Sequence, residues 1–317
     1  MKRQPAGAAL LSALLTAALV AGLATAALWQ SWQAVQRESA LRQQWQTRWL
    51  MRAALDWSLA VLASDGQQAA AVDHLGEDWS RGLERTALEA LLVAPDRTLQ
   101  PAEVAPAARS VGPWLSVRIS DAQARLNLLN LLEGTSLSAQ WRPVFARLFE
   151  QLGLPAQELE VMGRELLRAS AGTADDGSSA AALMPERAGD LLWLGLSPAS
   201  VQALRPHVSV LPGRMPVNLN TAGAMVLQAV LGMPPAQVQQ LLDRRRTRPF
   251  LSVDEAIPGM QQAGGDLLSV QSQFFSVQIE IELGPDWQQS ESALLQRQGA
   301  GQNAGQNVPL RVLWRYG

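Results

Sequence analysis

Asp175-Asp176-Gly177 is the densest set of oxygen ligands in the chain, and carboxylates gathered in a loop can hold a hard cation such as calcium. A polar loop tip explains the same three residues. Other chemistry-bearing groups are sparse. His74 and His207 lie far apart, without metal-ligand spacing, and read as surface or turn residues. There is no cysteine, which removes disulfides, thiolate metal sites and thiol nucleophiles together. No G-x-S-x-G elbow and no P-loop is present. Asn127 and Asn130 in "RLNLLNLL", and Asn218, Asn220 and Thr221 in "PVNLNTAGAMVLQAV", read as turn and N-cap groups for following helices. The basic run "RRRTRP" at 244–249 could meet phosphates, but cations at a solvated helix C-terminus account for it.

These residues must be carried by about two domains, given 317 residues. Hydrophobic residues make up 48% and charged residues 17%, which fits a globular protein with a membrane segment and not a disordered chain. The net charge of −2 gives no global bias toward nucleic acid.

The N-terminus supplies the membrane segment. Ala8 to Trp29 carries no charge and spans about 33 Å as a helix, against a hydrocarbon core of about 30 Å. Lys2 and Arg3 precede it, so the N-terminus is expected in the cytoplasm. A cleaved signal peptide is one reading, with Ala24-Thr25-Ala26 as its cutting site. The downstream residues favour another. Leu23 to Asp65 contains no Gly and no Pro and is rich in good helix formers. Leu28, Trp32 and Val35, then Leu41, Trp45, Trp49 and Ala53, form an apolar stripe. One helix of ~84 Å is expected to run from Ala8 to near Ala63, and a cut at Ala26 would sever it.

Alternation marks strands on both sides of a helical block. Leu115, Val117 and Ile119 alternate with polar residues, as do Phe275, Val277, Ile279, Ile281 and Leu283, and then Val308 to Trp314. "SALLQR" suits a third C-terminal strand, and the Gly/Asn-rich 298–307 a hairpin loop. Between the strand groups, "LGLSPASVQAL" at Leu194 and "LGMPPAQVQQL" at Leu231 match at seven of eleven positions; "LGLPAQEL" at Leu152 is a partial copy. Each pairs a turn Gly with a Pro at a helix start, a helix–hairpin–helix pattern. The DNA-binding form needs backbone N–H groups at the turn, and Pro234 offers none. The expected fold is α+β: a long N-terminal helix packed on an antiparallel sheet, with a large all-α insertion carrying the hairpin repeats.

A short basic leader ending in Gly7, followed by an apolar helix that becomes amphipathic, resembles the class 3 signal of type IV pilins and type II secretion pseudopilins. With "VDHLGEDW", "RISDAQARLNLLNLL" and "PVNLNTAGAMVLQAVLGMPP…RRRTRPFLSVDEA" in that order, the chain resembles the type II secretion protein K family over nearly its whole length. The resemblance implies cleavage between Gly7 and Ala8 by a prepilin peptidase, with methylation of the new N-terminus. Ala8 replaces the usual Phe or Met, and Ser12 stands at position +5, where most pilins carry Glu. In the family that Glu pairs with the amine of the subunit ahead; a tip subunit has none ahead. The resemblance further implies a leader 1–7, a transmembrane helix 8–29, a pilin-like domain in 30–126 and 272–317, and an inserted domain 127–271. Its expected partners are minor pseudopilins I and J, other pseudopilus subunits, the prepilin peptidase and inner-membrane lipid, with no catalysis. Calcium, which family members can bind in an acidic loop of the insertion, would here fall to Asp175 and Asp176. The competing readings are a membrane-anchored helix–hairpin–helix DNA-binding protein and an exported soluble enzyme.

Overall fold

The structure is a computed structural model, and it describes residues 6–67, 72–88, 113–171, 183–259, 267–284, 287–298 and 309–316. The chain divides into two compact units, Met1–Ala53 and Ala54–Gly317.

Helix α1, Ala6–Gln67, is continuous and contains both the apolar and the amphipathic stretches expected of it. It is the one helix among the described residues long and apolar enough to cross a membrane, with mean hydropathy 2.1 in its most apolar window. Its hydroxyls leave no polar debt to lipid. Ser12, Thr16 and Thr25 each donate to a carbonyl one turn back, at 2.9, 2.9 and 2.8 Å.

In the second unit, α2 (Asp78–Arg81) and strand β1 (Leu83–Ala87) follow α1. Gly82 sits between them with φ of 60°, and a Cβ there would lie 2.4 Å from the Val117 carbonyl oxygen, so only glycine fits. Strand β2 is Trp114–Asp121; β9, β10 and β11 are Phe274–Gly284, Trp287–Arg297 and Leu310–Tyr316. The five form an antiparallel sheet in the order β1-β2-β9-β10-β11. β1 was not expected, because "LERTA" shows no clear alternation.

Strands β2 and β9 are adjacent and antiparallel, with Asp121 opposite Phe275. A hairpin turn would ordinarily join such a pair. Here residues 122–273 stand in its place. This segment has its own core, built on Leu126, Trp141, Phe145, Leu148, Phe149, Leu166, Leu194, Leu227 and Val238, all nearly or fully buried. Burial of each such side chain contributes about 1.5–3 kcal/mol. Its helices are α3 (Arg142–Gln151), α4 (Ala156–Ala171), α5 (Pro198–Leu204), α6 (Ala224–Leu231), α7 (Pro235–Thr247) and α8 (Val253–Ala256). It is not purely helical. β3 (Leu126–Asn127) pairs with β6 (Val208–Ser209), β4 (Leu132–Glu133) with β5 (Ser136–Leu137), and β7 (Val217–Asn218) with β8 (Leu268–Ser269). Ladders of two residues are too short to show a period in the sequence.

The repeat has one structural device in all three copies. Gly153, Gly195 and Gly232 have φ of 65°, 83° and 64°. Pro198 and Pro235 then open α5 and α7 at the first helical position, where a missing N–H costs nothing.

Candidate functional site

The segments flanking the sheet ends bring their polar residues to one place. Asp121, at the exit of β2, is 3% exposed. Its Oδ2 accepts from Ser272 Oγ at 2.6 Å, Thr221 Oγ1 at 2.5 Å and Asn218 Nδ2 at 3.0 Å, and its Oδ1 accepts from the Gln123 N–H at 2.7 Å. Asn218 Nδ2 also reaches the Asp73 carbonyl, at 3.1 Å, and its Oδ1 accepts from the Asn220 N–H at 2.9 Å. Asp73 accepts from the Ser272 N–H at 2.6 Å and from the Arg297 guanidinium. Arg297, at the end of β10, also donates to Asp65 at 3.0 Å and to the Ser272 carbonyl at 2.9 Å, and lies over the Phe275 ring. One buried network thus joins the end of α1, the 72–79 turn, both ends of the insertion and the sheet.

Its electrostatics are lopsided. Asp65, Asp73 and Glu77 have ligand atoms within 4.8 Å of one another, a spacing that could hold a metal ion. Arg297 donates to two of the three, so the guanidinium already supplies the counter-charge. Burial pushes Asp65 up to about 6, Glu77 up to about 7 and Asp121 up to about 6. Arg297 opposes only part of this at Asp65, and the donors to Asp121 only part there. Burial also works against the charge of Arg297, and Asp73 and Asp65 more than restore it. Glu77 Oε2 accepts from the His74 N–H at 2.9 Å and from Trp79 Nε1 at 2.7 Å, which seats Trp79 edge-on to Phe275.

The other asparagines are clamps on backbone. Asn130 exchanges two hydrogen bonds with Met215, at 2.7 and 2.8 Å, and Asn220 two with Phe250, both at 2.9 Å. Asn127 accepts from the Leu211 N–H at 2.9 Å and donates to the Gly213 carbonyl at 2.6 Å. Asn127 also caps the 3-10 turn that follows it. The residue that caps α6 is Gly223, so Asn218, Asn220 and Thr221 serve the turn and the junction, not that helix end. No pattern in "PVNLNTAG" announces partners 54 to 145 residues away.

The histidines are turn residues. His74 Nδ1 accepts from the Gly76 N–H at 3.0 Å, and the His207 carbonyl accepts from the Leu126 N–H at 2.9 Å. Burial lowers both pKa values. Asp175 and Asp176 lie outside the described residues, as does the side chain of Ala8. The basic run lies in the last turn of α7, the cation-bearing helix end expected of it, with Arg244 and Arg246 exposed and Arg245 turned inward. Arg245 is half-buried and donates to the Leu219 and Ala222 carbonyls at 2.7 Å each; Arg244 lies over Phe250; Arg246 pairs with Asp243. Pro234 at the N-cap of α7 offers no N–H to a phosphate.

A long membrane-length helix, a small antiparallel sheet and a helical insertion in place of one hairpin define a pilin-like subunit. Residues 124–213 and 217–278 match the family described as type II secretion system (T2SS), protein K. The type II secretion system protein K of Pseudomonas aeruginosa is 28% identical over 264 residues, covering 77% of this chain and 71% of that protein. A chain in the crystal structure of the GspK-GspI-GspJ complex from enterotoxigenic Escherichia coli superposes with a TM-score of 0.60 at 21% identity, over 88% of this chain and 98% of that one. The chain is similar to type II secretion system protein K in these comparisons, which supports a minor pseudopilin role, and among the described residues one N-terminal helix is long and apolar enough to anchor it in a membrane. The DNA-binding alternative has no support.

Proposed function

We propose that this minor pseudopilin stands at the tip of the type II pseudopilus in the inner membrane, initiating and capping its assembly for export of folded periplasmic proteins. Minor pseudopilins I and J are its partners in this reading, as GspI and GspJ are partners in the complex that its fold resembles. Prepilin peptidase removes residues 1–7, and Ala8 becomes the N-terminus. The N-terminus faces the cytoplasm and the sheet and insertion the periplasm, in keeping with Lys2 and Arg3. The protein carries no catalysis of its own. The pilin-like domain is 30–126 and 272–317 with 127–271 inserted in this reading, supported by β2 ending at Asp121 and β9 beginning at Phe274.

The observation that carries this reading is the insertion. A packed domain of residues 122–273 stands where a repeating subunit would have a turn. A filament of stacked subunits accommodates that bulk only where nothing follows. The uncharged Ser12, bonded within its own helix, needs no partner ahead of it. The test is the intact mass of the mature chain from cells with and without the peptidase, together with co-purification of I and J. A chain starting at Ala8 only when the peptidase is present, in complex with both partners, is the expected result. A chain starting at Ala27 with or without the peptidase overturns it.

A further inference from the structure

A cleft of about 470 Å³ opens between the insertion and one face of the sheet. Arg125, Arg205 and Ser209 line its insertion side, Trp314 and Tyr316 its sheet side, and Trp193 its rim. Three features set it apart. First, among the described residues neither Arg125 nor Arg205 makes a hydrogen bond or ion pair. Arg125 is largely withdrawn from water, which lowers its pKa, and Arg205 lies close enough to lower it further. Glu186 also lines the cleft, and Asp121 acts on Arg125 without a hydrogen bond to it. Asp121 already has four donors, and Asp190 accepts from Arg187 at 3.1 Å and from two backbone N–H groups. Second, Ser209 is 7% exposed and its Oγ has no hydrogen-bond partner. An orphaned buried hydroxyl in a native fold calls for an explanation, and a ligand group is one. Third, aromatic surface is on offer. Trp314 and Tyr316 stack at 4.9 Å, Arg187 lies 4.9 Å over Tyr316, and Trp193 is 48% exposed.

We propose that this cleft binds a carboxylate carried beside an apolar or aromatic side chain, as on an extended acidic peptide. Arg125 and Arg205 hold the carboxylate, and the rings of Trp193, Trp314 and Tyr316 take its apolar neighbour. Two guanidiniums with no hydrogen-bonded carboxylate favour an anion, and the aromatic walls favour one that is not fully hydrated. The same chemistry could come from a free dicarboxylate.

The experiment uses the full chain in detergent micelles at low salt. Fluorescence polarisation follows a labelled hexapeptide alternating phenylalanine and glutamate, beside its glutamine counterpart. Saturable binding of the first, about tenfold tighter than of the second, is expected. Arg205→Gln, at an exposed position, should weaken binding about tenfold with an unchanged melting temperature. Ser209→Ala removes a hydroxyl that bonds to nothing, and should weaken binding without lowering the melting temperature. Glutarate that competes at the same concentration as the peptide identifies a free dicarboxylate as the ligand; competition only at large excess identifies a peptide. Equal binding of the glutamine peptide, or full binding by Arg205→Gln, overturns the proposal. Neither result bears on leader cleavage or on assembly with I and J.

Discussion

Asp121 concentrates what single residues do in this protein. It is buried, and its partners Ser272, Thr221 and Asn218 come from 97 to 151 residues away in the chain. Asp121→Asn places an amide where four donors converge, and should cost about 1–3 kcal/mol, read as a lower melting temperature. Arg297→Met leaves Asp65 and Asp73 buried without their counter-charge; a loss of about 3–5 kcal/mol in denaturant unfolding is expected. The junction also sets a pH dependence. Asp65, Glu77 and Asp121 titrate at about 6, about 7 and about 6 in the native state, above their ordinary values. The native state therefore holds protons that the unfolded chain has released. This contribution is complete below about pH 4 and is lost as pH rises through about 6–7. Thermal scans at constant ionic strength should show a melting temperature that falls from pH 5 to pH 7.5, with a shallower slope in Asp121→Asn. A rise over that range would contradict the assignment. In α1, Ser12→Glu would put a carboxylate in the membrane segment with no amine ahead of it. It should weaken tip assembly, and normal secretion by that variant would count against the tip position.

Elements succeed here where a local period is strong. The 62 residues of α1 follow from the uninterrupted run of helix formers, and β9 from the alternation of Phe275, Val277, Ile279 and Ile281. The turn of each repeat is legible because glycine at positive φ and proline at a helix start have few substitutes. Gly195→Ala tests this. Its φ is 83°, and a Cβ would meet Val161 Cγ1 at 2.8 Å. A loss of about 1–3 kcal/mol should appear in chemical unfolding, whereas Gly189→Ala, with open space around it, should be near neutral. The weakly marked elements escaped. β1 alternates poorly, and each two-residue ladder of the insertion is held by tertiary contacts, among them the Asn127 clamp beside β3 and β6.

At the level of the whole molecule, the insertion is welded to the sheet and not hung from it. Both connections pass through the junction. Gln123 donates to the Pro216 carbonyl and accepts from the Gln273 N–H, so the outgoing and returning strands are tied to each other. A small apolar cluster of Leu211, Phe274 and Leu294 reinforces the join. The insertion therefore has a fixed position relative to the sheet, as a subunit presenting a defined surface requires.

The sequence alone determined the membrane helix, the order of sheet and insertion, the repeated turns and the family resemblance. All of these rest on local period, on the special backbone of glycine and proline, or on the order of motifs. Only the tertiary structure decided that Asp65, Asp73, Asp121, Asn218, Ser272 and Arg297 form one buried network, that Arg245 is held by two backbone carbonyls, and that Arg125 and Arg205 have no hydrogen-bonded partner. The reason is physical. A polar side chain carries no mark in the sequence of whether its partner will be water, a neighbouring turn or a residue far along the chain; burial makes that choice, and burial is settled only when the elements pack.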